Sequence, residues 1–186
     1  MNKKDLRVIK TKNNLYNTLV ELMKEKQFEE IKVSDICNHA LVNRSTFYAH
    51  YNDKYELLEE YIKVLKESFT KELEKNKNIS NTKEYYMEMI KIFLDHVEDK
   101  KQIYSSIMIN NRNSMTMDII YDVLNQDITN RLKNEEVKEI PSDIVAKFYL
   151  GAIFNVGIQW LNNSNKYTKE ELLKYLNLLL PEEISK

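Results

Sequence analysis

The chain has 186 residues, of which 42% are hydrophobic and 31% charged, and its formal net charge is −1. This length allows one large domain or two small ones with proper cores. Only two glycines and two prolines interrupt the chain, which favours long helices over a sheet. Cys37 is the single cysteine, which excludes an internal disulfide framework. We therefore predict an all-α fold.

The sequence predicts a cytoplasmic protein without a membrane partner. No apolar signal region follows the N-terminus. The longest apolar stretch, residues 148–161, contains Asn155 and Gln159 and is shorter than the roughly 18 residues that a membrane span needs. Residues 1–52 carry a small net positive charge and the remainder a small net negative charge. One end of the protein is therefore suited to a polyanion.

Apolar periodicity and capping residues predict about nine helices. The first covers residues 6–26 and has Leu15, Leu19, Leu22 and Met23 on one face. Short helices follow from about Val33 and over residues 44–51, and a long one over 54–76. The others are predicted at residues 82–98, 100–111, 114–133, 142–162 and 168–180. The most informative part of the chain for function is the pair of short helices joined by a tight turn near residue 40.

The faces of the helix after Asn43 differ sharply in character. At about 100° per residue, Phe47 and Tyr51 fall on one side, and Ser45 and Ala49 point away from them. Asn43 is a suitable N-cap residue. The aromatic side is expected to anchor a small core, formed with Ile36, Cys37, Val42 and Leu57 or Leu58. The outward face has short or hydrogen-bonding side chains, as a recognition helix in a major groove requires.

Part of the sequence resembles the DNA-binding signature of TetR-family regulators. The resemblance rests on the residues from Ile31 to Ile36, those from Val42 to Tyr51, and Lys54. The run Thr-Phe-Tyr-x-His-Tyr at residues 46–51, followed by a lysine and two leucines, is its most specific part. The match covers roughly residues 7–62. The remainder resembles the family in length and helical content.

The resemblance implies a homodimer that binds a palindromic double-stranded operator. A helix-turn-helix DNA-binding domain would cover residues 1–53, and a C-terminal helical ligand-binding and dimerisation domain residues 54–186. Carried over by position, the base readers are Arg44, Ser45 and Ala49. The phosphate contacts are Tyr48, His50 and Lys54. Thr46 can serve either role. Lys10 and Thr11 brace the flanking DNA backbone.

Two residues depart from the family's pattern. Many relatives have threonine where Lys32 stands, and lysine cannot accept the capping hydrogen bond, so Ser34 or Asp35 is expected to cap the second helix. Many relatives also have glycine where Leu41 stands. Either Leu41 adopts a positive φ, at a cost of about 1 kcal/mol, or the turn differs.

The helix predicted over residues 142–162 is apolar nearly all round and must be covered on more than one side. It contains both glycines, which predicts a close backbone approach. Two such helices from each subunit would form a four-helix seam. The predicted interface residues are Phe148, Ala152, Val156, Trp160, Leu172 and Leu176. The alternative is the centre of a monomeric bundle.

The functional prediction is a transcriptional regulator, most often a repressor in this family, released by an effector that binds the C-terminal domain. No cofactor and no metal site are predicted, but a small-molecule effector fits the aromatic and Met-rich residues at 85–121 as well as plain core packing does. The alternatives are an activator that works through a protein co-regulator and a helical adaptor that binds no DNA. An enzyme is not expected, because phosphate loops, catalytic triads and metal clusters are missing from the sequence.

Overall fold

The structure is a computed structural model that describes residues 3–73, 82–101, 104, 118, 119, 121–123, 125, 126, 129, 140–162 and 166–180. Every regular element in these ranges is helical, which confirms the all-α prediction. The helices are α1 (Lys3–Glu25), a short 3-10 helix (Phe28–Glu30), α2 (Val33–His39), α3 (Arg44–Tyr48), α4 (Lys54–Leu73), α5 (Thr82–Asp99), α6 (Ser142–Asn162) and α7 (Lys169–Leu179). The helices predicted over 100–111 and 114–133 fall largely outside the described residues.

The described residues divide into two compact units. The first contains α1 to α3 and the start of α4 as far as Lys63, together with residues 118 and 119. The second contains α4 from Val64 onward, α5, α6 and α7. Helix α4 therefore belongs to both units. The domain boundary predicted between residues 53 and 54 stays a prediction.

The core of the first unit forms where the periodicity of α1 predicts it. The four apolar residues of the predicted α1 face, Leu15 to Met23, are all buried. They pack with other buried residues of this unit: Phe28, Ile31, Ile36, Cys37, Phe47, Tyr51, Leu57 and Leu58. Phe47 and Tyr51 are thus core residues, as predicted, and Val42 packs against the same cluster. The helix-turn-helix rests on one continuous apolar core.

Aromatic residues of α4, α5 and α6 pack together in the second unit. The Phe69 ring lies 5.1 Å from the His96 ring, and Phe93 stacks on Phe154 at 6.4 Å. Burial lowers the pKa of His96, so the imidazole is neutral at pH 7. Helices α5 and α7 are also joined by an ion cluster, in which Lys169 Nζ lies 2.7 Å from the carboxylate of Asp95.

Helix α6 has two apolar sides, and among the described residues one is buried and the other exposed. Its buried side includes Ala146, Leu150 and Phe154. The opposite side carries Ile144, Phe148, Ala152 and Val156, spaced four residues apart, all exposed. By length and composition residues Asp143–Leu161 could cross a membrane, but the core helix of a soluble protein passes the same test. No described atom lies within 4 Å of a Cβ built at Gly151 or Gly157, so the close approach predicted there does not occur among the described residues of this chain.

Candidate nucleic-acid interface

The start of α2 is capped by Asp35, one of the two residues predicted to replace the missing threonine. Its carboxylate accepts the backbone N–H of Lys32 at 3.1 Å and the ammonium of Lys26 at 2.8 Å. The hydrogen bond from Lys26 holds the pKa of Asp35 below its usual range. Lys32 occupies the N-cap position with its backbone alone and makes no side-chain capping bond. Its ammonium is therefore not used by the cap.

The turn between α2 and α3 requires a left-handed residue at position 41. Leu41 has φ = 53°, so the first of the two predicted alternatives holds. The Val42 N–H donates to the Cys37 carbonyl at 2.9 Å, and the Leu41 N–H donates to the Asn38 carbonyl at 3.3 Å. These two bonds form a Schellman motif, in which glycine is the usual residue at this place. The Leu41 side chain is 94% exposed, so packing contributes little to offset the backbone strain.

Helix α3 is short and is held by its aromatic side. Asn43 occupies the N-cap position, as predicted, but its side chain makes no capping hydrogen bond. Instead its carbonyl accepts the Phe47 N–H at 3.0 Å. The Phe47 side chain is wholly buried, and its ring meets the Tyr48 ring edge to face at 5.5 Å. Core packing, more than capping, therefore fixes the orientation of α3.

The residues predicted to read bases lie on the exposed side of α3. Arg44, Ser45 and Ala49 are all exposed. Among the predicted phosphate contacts, Tyr48 is 56% exposed, and His50 is partly buried. Thr46 is also partly buried, and on α1 Lys10 is exposed and Thr11 partly buried. All of these side chains reach the surface, and their contacts with DNA stay predictions.

Lys54 has a local structural role that the sequence does not reveal. Its ammonium donates to the carbonyls of Phe28, Glu29 and Ile31, each at 2.8 Å. It also lies 4.7 Å from the centre of the Phe28 ring. An ammonium has three N–H donors, and the three carbonyls take all of them. Lys54 thus holds the turn between α1 and α2, whereas the sequence assigns it to a phosphate.

Asp53 caps the start of α4. Its Oδ1 accepts the backbone N–H of Tyr55 and of Glu56, both at 2.9 Å. Glu56 in turn accepts the Asn52 N–H at 2.7 Å. The first turn of α4, which carries Lys54, is therefore rigidly placed.

A polar cluster around Glu60 joins α1, α4 and Tyr51, which lies three residues after the end of α3, and the sequence does not reveal this cluster either. Tyr51 donates its hydroxyl to the Glu60 carboxylate and lies 3.2 Å from the Tyr16 hydroxyl. Lys12 Nζ completes the cluster at 2.7 Å from Glu60. Burial raises the pKa of Tyr16 to about 12. Burial also opposes ionisation of Glu60, but hydrogen bonds from Lys12 and Tyr51 outweigh it and lower the Glu60 pKa.

An open groove lies beside α3 within the first unit. Its volume is about 420 Å³. It is formed by the start of α2, by α3 and by the start of α4, and its lining residues are Ile31, Lys32, Val33, Ser34, Arg44, Tyr48, Asp53, Lys54 and Tyr55. Three of these side chains are cationic and one is anionic, so the groove favours an anion.

Two family models match separate parts of the chain. One, described as "Bacterial regulatory proteins, tetR family", matches residues 15–61. The other, described as "Transcriptional regulator C-terminal region", matches residues 84–182, more than half of the chain. The chain belongs to the TetR family of transcriptional regulators. The first match contains α2, the strained turn, α3 and the start of α4.

Individual relatives agree with this TetR assignment. A TetR transcriptional regulator from Streptococcus agalactiae 2603V is 29% identical over 95% of this chain and 96% of its own, with a TM-score of 0.65. FadR from Bacillus subtilis, solved in complex with stearoyl-CoA, is 19% identical over 89% of this chain and 95% of its own, with a TM-score of 0.62, and shows the fold alone. The uncharacterized HTH-type regulator YxbF of Bacillus subtilis (strain 168) is 39% identical over 59 residues, which span 31% of this chain and 16% of that protein.

Proposed function

We propose that this TetR-family protein is a dimeric repressor that binds a palindromic operator in the cytoplasm through α3. One observation carries the proposal. Helix α3 buries Phe47 completely and exposes Arg44, Ser45 and Ala49. Arginine can form two hydrogen bonds with a guanine edge, and alanine can contact a thymine methyl group. Tyr48, at the edge of the same face, would donate its hydroxyl to a phosphate and fix the register.

A homodimer would present two copies of α3 to successive major grooves. The exposed apolar stripe of α6 supports this step, because a monomer would leave Phe148 70% exposed to water. Leu178 and Leu179 of α7 are 74% and 73% exposed. Three residues predicted for the seam, Trp160, Leu172 and Leu176, are instead buried inside this chain. We therefore propose a seam of exposed apolar residues of α6 and α7: Ile144, Phe148, Ala152, Val156, Leu178 and Leu179.

An effector would bind the second unit and release the operator. Two buried oxygens there, Asn125 Oδ1 and Thr129 Oγ1, have no hydrogen-bond partner among the described residues. A buried polar atom without a partner costs about 1–3 kcal/mol, which a ligand's polar group would recover. The helical residue Tyr121 precedes them at four-residue spacing, and its ring lies 5.0 Å from Phe154. An apolar or aromatic ligand with a polar group fits these surroundings.

The decisive experiment measures binding to the DNA upstream of the protein's own gene by fluorescence anisotropy, with excess competitor DNA. We expect saturable, salt-sensitive binding that is lost in Arg44→Ala. Tyr48→Phe keeps the ring contact with Phe47 and removes only the hydroxyl, so it should weaken binding less than Tyr48→Ala does. Lys63→Met, on the exposed surface of α4, is the charge control. Equal binding by wild type and Arg44→Ala would refute the role of α3.

A reporter gene placed behind the same DNA then tests the sign of regulation. Lower expression with the protein present supports a repressor, and higher expression supports the activator alternative. Adding long-chain acyl-CoA and other apolar ligands to the anisotropy assay tests for release. FadR, solved with stearoyl-CoA, makes that class a reasonable first choice for the screen.

A further inference from the structure

The groove beside α3 contains two lysines, Lys32 and Lys54. Their hydrogen bonds do not agree with the sequence-based choice of Lys54 as the phosphate contact. Lys32 lies at the start of α2, and Lys54 lies at the start of α4. Both line the groove, together with Arg44 and Tyr48 of α3. The sequence assigns the phosphate contact to Lys54 and gives Lys32 only a missing cap. The hydrogen bonds in this part of the chain indicate the reverse.

Lys54 has no N–H left for a phosphate. Its three donors are taken by three carbonyls at 2.8 Å each, all in the turn between α1 and α2. The Phe28 ring lies under its charge. A phosphate contact would require Lys54 to give up at least one of these three bonds. The cost of that exchange makes Lys54 a poor phosphate ligand.

Lys32 is free to take the contact. The residue is exposed, and its ammonium makes no hydrogen bond or ion pair with any described residue. Its hydrogen bonds to described residues are made by the backbone: its N–H donates to Asp35, and its carbonyl accepts the N–H groups of Asp35 and Ile36. The side chain of Arg44 is likewise unpaired among the described residues. The one acid in the groove, Asp53, has Oδ1 occupied by two backbone N–H groups.

We propose that Lys32 binds a backbone phosphate of the operator in this groove, and that Lys54 is a positioning residue that holds the α1–α2 turn. The Tyr48 hydroxyl, which lines the same groove, completes the phosphate site from α3. This inference rests on the proposed function, because it names a DNA contact of the same surface. It also gives a physical reason for lysine in place of threonine at residue 32, since the substitution adds a cation where Lys54 supplies none.

The test compares Lys32→Met, Lys54→Met and the control Lys63→Met, which removes a lysine that does not line the groove. Operator affinity is measured by anisotropy over a series of salt concentrations, and the melting temperature by circular dichroism. Each phosphate contact contributes about 0.9 to the slope of log affinity against log salt. We expect Lys32→Met to lower the slope by about that amount for each half-site, with an unchanged melting temperature. Lys54→Met should keep the slope and melt several degrees lower.

Neutral phosphates give a second readout that does not depend on the stability of Lys54→Met. Among the positions where a single methylphosphonate weakens wild-type binding, one in each half-site should have a clearly smaller effect on Lys32→Met. Lys32→Arg should regain the full effect at that position. An unchanged slope in Lys32→Met, or a slope lowered in Lys54→Met at an unchanged melting temperature, would overturn the inference. Failure of the wild type to bind any operator would instead refute the proposed function.

Discussion

Replacement of Leu41 by glycine should stabilise the first unit. Leu41 has φ = 53° at the left-handed position of the motif that ends α2. For a residue with a Cβ, this conformation costs about 1–2 kcal/mol, whereas glycine adopts it freely. The side chain is 94% exposed, so its removal forfeits almost no buried apolar area. Relief of backbone strain is therefore the main effect in the folded state.

The unfolded state reduces the gain. Glycine has more conformational freedom in the unfolded chain, which costs about 0.4–1 kcal/mol on folding. The net stabilisation expected for Leu41→Gly is therefore about 0.5–1 kcal/mol. For a chain of 186 residues this corresponds to a melting temperature higher by roughly 1–4 °C. Leu41→Ala keeps the Cβ and the strain, so its stability should stay close to that of wild type.

Urea unfolding followed by circular dichroism measures both variants. The midpoint should rise for Leu41→Gly at an unchanged slope, because the surface exposed on unfolding hardly changes. Leu41→Asn should fall between the two, since asparagine tolerates the left-handed region better than leucine does. If Leu41→Gly were no more stable than Leu41→Ala, backbone strain at this turn would not limit stability, and the reasoning would be wrong.

Three further predictions concern the polar cluster, the α6 surface and the second unit. Folding lowers the pKa of the Glu60 carboxyl from 4.5, so the stabilisation from ionised Glu60 is complete above pH 4.5 and is lost as the pH falls through the folded-state pKa. Glu60→Gln should be about 1 kcal/mol less stable than wild type at pH 7. Urea midpoints should show this difference between the two proteins closing toward pH 3. Phe148→Glu should give a helical monomer by light scattering, and the neighbouring Lys147→Glu should remain a dimer; two dimers would disprove the α6 seam. Thr129→Val should raise stability by about 1 kcal/mol, because it removes a buried hydroxyl that has no partner among the described residues. Thr70→Val loses a hydrogen bond to the Lys66 carbonyl at 3.1 Å and should not raise stability. A destabilised Thr129→Val would mean that the Thr129 hydroxyl has a partner.

Local sequence patterns predict the first unit well, because its helices are amphipathic and the pattern that shows this lies within each helix. The spacing of Leu15, Leu19 and Leu22 identifies the buried face of α1. The angular separation of Phe47 from Ser45 and Ala49 identifies the anchored and exposed sides of α3. The sequence gives the strain at Leu41 as one of two alternatives, and the φ of 53° in the structure decides for it.

Contacts between residues distant in sequence could not be predicted in this way. Lys54 binds carbonyls 23 to 26 residues earlier, and backbone carbonyls carry no residue-type signal. Glu60 meets Lys12 from 48 residues away. Helix α6 presents a different difficulty, because apolar residues all round give no preferred direction and leave open which side its own chain covers. The sequence pattern therefore cannot separate the buried Trp160 from the exposed Phe148.

The contacts of Lys54 and Glu60 both connect α4 to the helix-turn-helix. Both Lys54 and Glu60 lie on α4, the helix whose residues are divided between the two units. Lys54 holds the turn before α2, and Glu60 holds Tyr51, the residue that anchors the end of α3. A displacement of α4 would therefore pull on both ends of the helix-turn-helix through polar bonds as well as through core packing. Coupling requires an effector that binds one arrangement of α4 better than another. In the proposed mechanism, the bonds of Lys54 and Glu60 would link that change in α4 to the helix-turn-helix.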